Sequence, residues 1–171
     1  WRPHAKCHKS PVVAQREIEA GAIGVTVAKV SEAEVYAAAG IRDILIANLI
    51  VGAPKLKRLV ELCKIADPIV CIDHYAQAEM LSAACVAGGV TCRAILELDI
   101  GLARAGVRPG REALRLAQGV AELPGIKFAG IMGYEGHLLT IADAGEKRDK
   151  INEAMNVLRI NRDAIIEAGL P

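Results

Sequence analysis

Short apolar, β-branched runs alternate with single helical segments along the whole chain, and no hairpin signal joins any two of them. Strands separated in this way cannot pair as hairpins. They must lie parallel, each reached from the last by a helical crossover. The strand runs fall at 21–28, 43–48, 68–73, 92–100 and 126–132. Helices are expected over 10–20, 31–40, 53–66, 75–87, 111–123 and 144–168. Several starts carry their own signals. Ser10 before Pro11 is a capping residue followed by proline at the first helical position. Ser31 with Glu34 reads as a capping box, and Asp73 reads as an N-cap for the helix after it. A doubly wound sheet and a (β/α) barrel both satisfy this pattern. The Gly-x-Gly-x-x-Gly fingerprint after a first strand is absent, which argues against a dinucleotide site.

Composition supports buried parallel strands under alanine-rich helices. Of the 171 residues 53% are hydrophobic and only 3% aromatic. That length is enough for one domain with a good core. The formal charge is +1, with acids and bases interspersed. Without a basic stripe or aromatic platforms, no nucleic-acid surface is expected. No apolar run is long enough to span a bilayer, so no membrane partner is expected either. The cysteines, Cys7, Cys63, Cys71, Cys85 and Cys92, are odd in number, scattered and free of any Cys-x-x-Cys. A disulfide or zinc framework is therefore not expected, and a cytoplasmic location is.

In parallel β/α folds chemistry collects at the C-terminal ends of the strands. Those ends carry Lys29, Asn48, Asp73 with His74, Asp99, and Tyr134 with His137. Each has a plain alternative: Lys29 as a solvated residue, Asn48 as a partner for loop backbone, His74 as an exposed loop histidine. Together they converge on one mouth. The first ten residues add a further cluster, with His4, Lys6, His8 and Lys9 crowded ahead of the Ser10-Pro11 helix start. A lysine among other cations and partly desolvated yields a neutral, nucleophilic amine. The alternative is a solvated basic loop.

The stretch Arg-Pro-His-Ala-Lys-Cys-His-Lys, residues 2–9, resembles the signature of the D-threonine aldolase and D-serine dehydratase family, with Cys7 where threonine is usual. Residues 26–35, 43–48, 97–107 and 133–137 extend the resemblance over essentially the whole chain. It implies an α/β fold: a partial (β/α)8 TIM barrel, pyridoxal-phosphate fold type III, of the alanine racemase N-terminal kind. It implies pyridoxal 5'-phosphate held through a Schiff base on Lys6. Arg104 is then expected near the cofactor ring oxygen or the substrate carboxylate, the alternative being an Arg104–Asp99 ion pair that staples the loop. Tyr134 is expected to face the pyridine nitrogen. Asn48 and Asp99 are expected beside the cofactor, and His137 next to it in a catalytic role.

Residues 1–171 are read as an incomplete barrel domain. The phosphate-gripping loop, the remaining strands and a C-terminal β domain with ligands for a divalent metal are expected outside it. No complete metal site is expected inside. The implied activity is a lyase acting on D-3-hydroxy amino acids: D-threonine aldolase type, with D-serine dehydratase-type elimination as the alternative. An amino-acid racemase and a non-catalytic pyridoxal-phosphate-binding protein are the more distant readings. The resemblance also implies a homodimer.

Overall fold

The structure is a computed structural model describing residues 1–171. Five parallel strands, β1 Val25–Val27, β2 Asp43–Leu49, β3 Asp67–Ile72, β4 Cys92–Leu98 and β5 Ile126–Gly133, form one sheet in sequence order. A doubly wound sheet reverses its order at a switch point, so this unbroken order is that of a barrel wall. The lead-in adds a further rung before β1. The Thr26 amide donates to Pro3 O and the Ala5 amide to Thr26 O, each at 2.8 Å.

Six helices connect and follow the strands: α1 Pro11–Glu19, α2 Val30–Ala38, α3 Ala53–Cys63, α4 Tyr75–Gly88, α5 Arg111–Glu122 and α6 Ala144–Glu167. They cover one face of the sheet. Alternate strand residues such as Val25, Ile44, Val70 and Leu96 join a single core with Leu59, Leu81 and Leu116 from the helices. The other face holds Ile69, Cys71 and Ile95 packed with Leu45, Leu49 and Met132, all from strands. Side chains alternate faces along a strand. The second cluster is therefore the barrel interior.

Ions close that interior at the N-terminal ends of the strands. Asp43 Oδ1 accepts from Arg2 and from Arg93, each at 2.9 Å, and Arg93 Nε donates to Asp67 Oδ1 at 2.8 Å. Burial pushes the Asp43 carboxyl up, but the two guanidinium groups outweigh it and hold it below the ordinary aspartate range. A depressed acid stabilises the fold above its unfolded pKa, and the contribution disappears as pH falls through the folded value. The side chain is 39% exposed, so solvent screening leaves about 1 kcal/mol. Asp43→Asn is expected to cost that much at neutral pH and to flatten the acid limb of stability. Urea unfolding as a function of pH checks this; an unchanged acid limb would remove the network from the account.

Local boundaries differ from the sequence expectation where tertiary partners intervene. Residues 21–24 are not strand. The Ala22 amide donates to Glu17 O at 3.0 Å and closes the end of α1, so the first strand starts only at Val25. The Ser31–Glu34 capping box does not form. Lys29 is the cap residue, Glu32 reaches back to the Ala28 amide at 2.8 Å, and Glu34 instead pairs with Arg58 of α3. His74, not Asp73, caps α4, its Nδ1 accepting from the Ala76 amide at 3.2 Å. The fourth strand stops at Leu98, because the Asp99 carboxylate accepts from the Gly101 and Ala103 amides, both at 3.0 Å, and turns the chain.

Candidate active site

At the C-terminal ends of the strands the interior opens into a cavity of about 570 Å³, within the usual range for a small-molecule site. Its polar wall is Lys6, His4, Asn48, Glu97, Arg104 and Tyr134, with Leu45, Ala47 and Met132 as an apolar side. Four of the residues singled out in the sequence, Lys6, Asn48, Arg104 and Tyr134, are thus brought together. Asp99 and His137 are not among the lining residues. Asp99 is occupied with loop amides, which hold its carboxyl below the ordinary range. His137 packs against Gly101, where a Cβ would come within 2.7 Å of its Nε2.

Lys6 sits in a turn over residues 5–8, just ahead of α1. The turn is closed by the Lys9 amide donating to Ala5 O at 2.9 Å. Ser10 Oγ accepts from the Val13 amide at 3.4 Å and Pro11 starts the helix, as the local sequence requires. Lys6 is exposed rather than partly desolvated, and its amine makes no ion pair. Lys9 is committed elsewhere: its Nζ lies 2.5 Å from Glu32 Oε1. Burial pulls the Glu32 carboxyl up, yet Lys9 and the Ala28 amide hold it below the ordinary glutamate range. Burial, then the Lys6 ammonium, push His4 below the ordinary imidazole range. Its Nδ1 accepts the Lys6 amide at 3.2 Å, which a ring protonated there could not do.

Across the cavity, the loop after β4 folds back on the strand. The Val107 amide donates to Glu97 O at 2.8 Å and the Asp99 amide to Val107 O at 3.0 Å. The loop is fixed from β3 as well, the Gly106 amide donating to Asp73 Oδ2 at 3.1 Å. This is the role of Asp73 in place of capping. Arg104 rides on that loop, its guanidinium 5.4 Å from the centre of the Tyr134 ring and 3.8 Å from Glu97 Oε1. The Arg104–Asp99 staple is therefore not the arrangement found. Glu97 is only 5% exposed. Burial lifts its carboxyl above the ordinary range, Arg104 countering only in part. Asn48 does both things considered for it. Its amide donates to Ala28 O at 3.0 Å, bridging β2 to the end of β1, and it lines the cavity.

Sequence reasoning missed Glu97, Arg2 and His4 as lining residues. A signal for Glu97 was present: an acid inside the otherwise apolar run of β4 must face either the helices or the interior, and only the interior has a mouth.

A sequentially ordered parallel wall with amine, guanidinium and phenol groups at its C-terminal mouth defines a β/α-barrel domain with a polar cavity at the strand ends. The family of the alanine racemase N-terminal domain matches residues 4–171, and the chain belongs to it. The chain is 37% identical over 169 residues to a D-threonine aldolase from Arthrobacter sp., covering 99% of this chain and 45% of that protein. It is 33% identical over 171 residues to a 3-hydroxy-D-aspartate aldolase from Paracoccus denitrificans (strain Pd 1222), covering 99% and 44%. The crystal structure of D-threonine aldolase from Filomicrobium marinum matches with a TM-score of 0.96 at 41% identity, over 99% of this chain and 46% of that one. The chain spans less than half the length of these relatives. No helix is long and apolar enough to cross a membrane.

Proposed function

We propose that this domain is the cofactor-binding part of a pyridoxal-phosphate-dependent lyase that cleaves D-3-hydroxy amino acids in the manner of a D-threonine aldolase, with Lys6 as the amine that carries the cofactor. The observation that carries the reading is the position of Lys6: a cavity-lining amine with no acid partner, in a chain 37% identical to a D-threonine aldolase.

The residues present fit such a cofactor. An amine without an ion pair is available to an aldehyde, and the cationic wall suits an anionic ring substituent or a substrate carboxylate. Pyridoxal phosphate, when bound, supplies the electron sink for breaking a bond at Cα. The chain supplies orientation and a partly dry environment. Arg104, held between Glu97 and the Tyr134 ring, offers N–H donors to an anionic oxygen. Burial lifts the Glu97 carboxyl above the ordinary range beside that guanidinium. Leu45, Ala47 and Met132 keep water from one side of the cavity. Asn48 ties two strand ends together beneath the mouth. Asp99 serves the loop that carries Arg104, and His137 is a neighbour of the mouth. A divalent metal belongs to the proposal only through residues outside this chain.

The test uses the full gene product with pyridoxal phosphate, a divalent cation and D-threonine. Glycine with acetaldehyde in equal amounts is the expected result. A keto acid with ammonia would overturn the aldolase reading in favour of a dehydratase. Neither product, with cofactor still bound, would point to the racemase or the non-catalytic carrier.

A further inference from the structure

Three buried side-chain atoms lack a hydrogen-bond partner: His8 Nε2, Glu17 Oε2 and the Tyr36 hydroxyl. They belong to one neighbourhood behind the turn that carries Lys6. His8 Nε2 and Glu17 Oε2 are 3.6 Å apart. Tyr36 is 2% exposed, and its phenol is raised by burial and then by the nearby Glu32 and Glu17 carboxylates. The other nitrogen of His8 is engaged. The Ser10 amide donates to His8 Nδ1 at 3.1 Å. A backbone amide can only donate, so Nδ1 carries no proton, and the proton of the neutral ring lies on Nε2, the atom that faces Glu17.

We propose that Glu17 is a positioning residue for the Lys6 turn: its carboxylate keeps the His8 proton on Nε2 and so leaves Nδ1 free to accept the Ser10 amide where α1 begins. The turn is then gripped at both ends by imidazole acceptors, His4 on the Lys6 amide and His8 on the Ser10 amide. A carboxylate behind an imidazole commonly fixes tautomer and ring orientation in this way. His8 faces Glu17 of α1, Glu17 and Glu32 in turn lie near Tyr36 of α2, and Glu32 also holds Lys9. The consequence for cofactor loading rests on the reading that Lys6 is the carrier.

Two measurements on the full gene product test this. Nitrogen-15 spectra of histidine-labelled protein, assigned with His8→Asn, are expected to show His8 neutral and protonated on Nε2, and a tautomer mixture in Glu17→Leu. The rate at which added pyridoxal phosphate develops its protein-bound visible band should fall about tenfold in Glu17→Leu, the usual scale for losing an orienting carboxylate. In a His8→Asn background, where the asparagine oxygen stands in for Nδ1, Glu17→Leu should change that rate less than about twofold. A wild-type His8 protonated on Nδ1 would overturn the inference, and so would an undiminished Glu17→Leu effect in the His8→Asn background. Lys6→Ala that keeps the visible band would sink the functional reading alone, and the His8 tautomer would still decide this one.

Discussion

Replacing Lys6 by alanine is expected to remove the visible absorbance of bound cofactor and to lower kcat/KM on the order of 10⁴-fold or more, the scale for deleting a covalent nucleophile. The change should leave stability within about 0.5 kcal/mol, because the side chain is exposed and makes no ion pair. The specificity of the effect follows from what the neighbouring lysines are doing. Lys9 is bound to Glu32, which is itself anchored on the Ala28 amide. Lys29 is the exposed cap residue of α2 and is not among the lining residues. Neither has an amine that is both unpaired and at the cavity. Lys9→Ala should therefore retain the visible band and lose only a local contact between the turn and α2. Absorbance spectra of the two variants of the full gene product, reconstituted side by side, check the assignment. A band that survives Lys6→Ala and vanishes in Lys9→Ala would move the cofactor to the second lysine.

The parts of this fold that could be read in the sequence are those set by local chemistry. The strand bodies of β3 and β4 are apolar runs whose burial on both faces leaves little choice, and Ser10-Pro11 starts α1 with its own atoms. What could not be read depends on partners far along the chain. Glu32 rather than Glu34 reaches back to the Ala28 amide, while Glu34 meets Arg58 on the next helix. Asp73 looks like a cap in isolation, but its carboxylate is drawn to Gly106, 33 residues away. The site divides in the same way. Lys6, Asn48 and Tyr134 stand out from their places at strand ends, and Arg104 from the family resemblance alone. Glu97 and Asp99 share a strand parity, yet only Glu97 lines the cavity, because Asp99 spends its carboxylate on the amides that end the strand. Strand position and face do not separate the two acids; the partners that each carboxylate finds do.

The second large effect is expected at a residue without a side chain. Gly106 has φ +108°, and a Cβ there would lie 2.4 Å from the Asp99 amide nitrogen and 2.6 Å from the Leu98 carbonyl carbon. Both are backbone atoms of the strand that the loop folds back upon, so neither can turn aside. Gly106→Ala should therefore lift the loop from β4, breaking the Val107–Glu97 and Asp99–Val107 backbone bonds and the Gly106 contact with Asp73. The strained conformation alone costs about 1–3 kcal/mol. The larger consequence is for Arg104, which the loop carries over Tyr134. A misplacement of about 1 Å at such a group costs roughly 10²-fold in turnover, so kcat/KM and cofactor affinity should fall on that scale in a protein that still folds. Gly21→Ala is the control. Its φ is also positive, at +100°, but nothing lies within 4 Å of the added carbon. It should show only the strain, about 1 kcal/mol, with cofactor affinity unchanged. Thermal unfolding and cofactor titration of both variants separate strain from displacement. If Gly106→Ala binds cofactor as tightly as the parent, the position of Arg104 is not set by this loop, and the Glu97 and Tyr134 contacts alone would have to hold it.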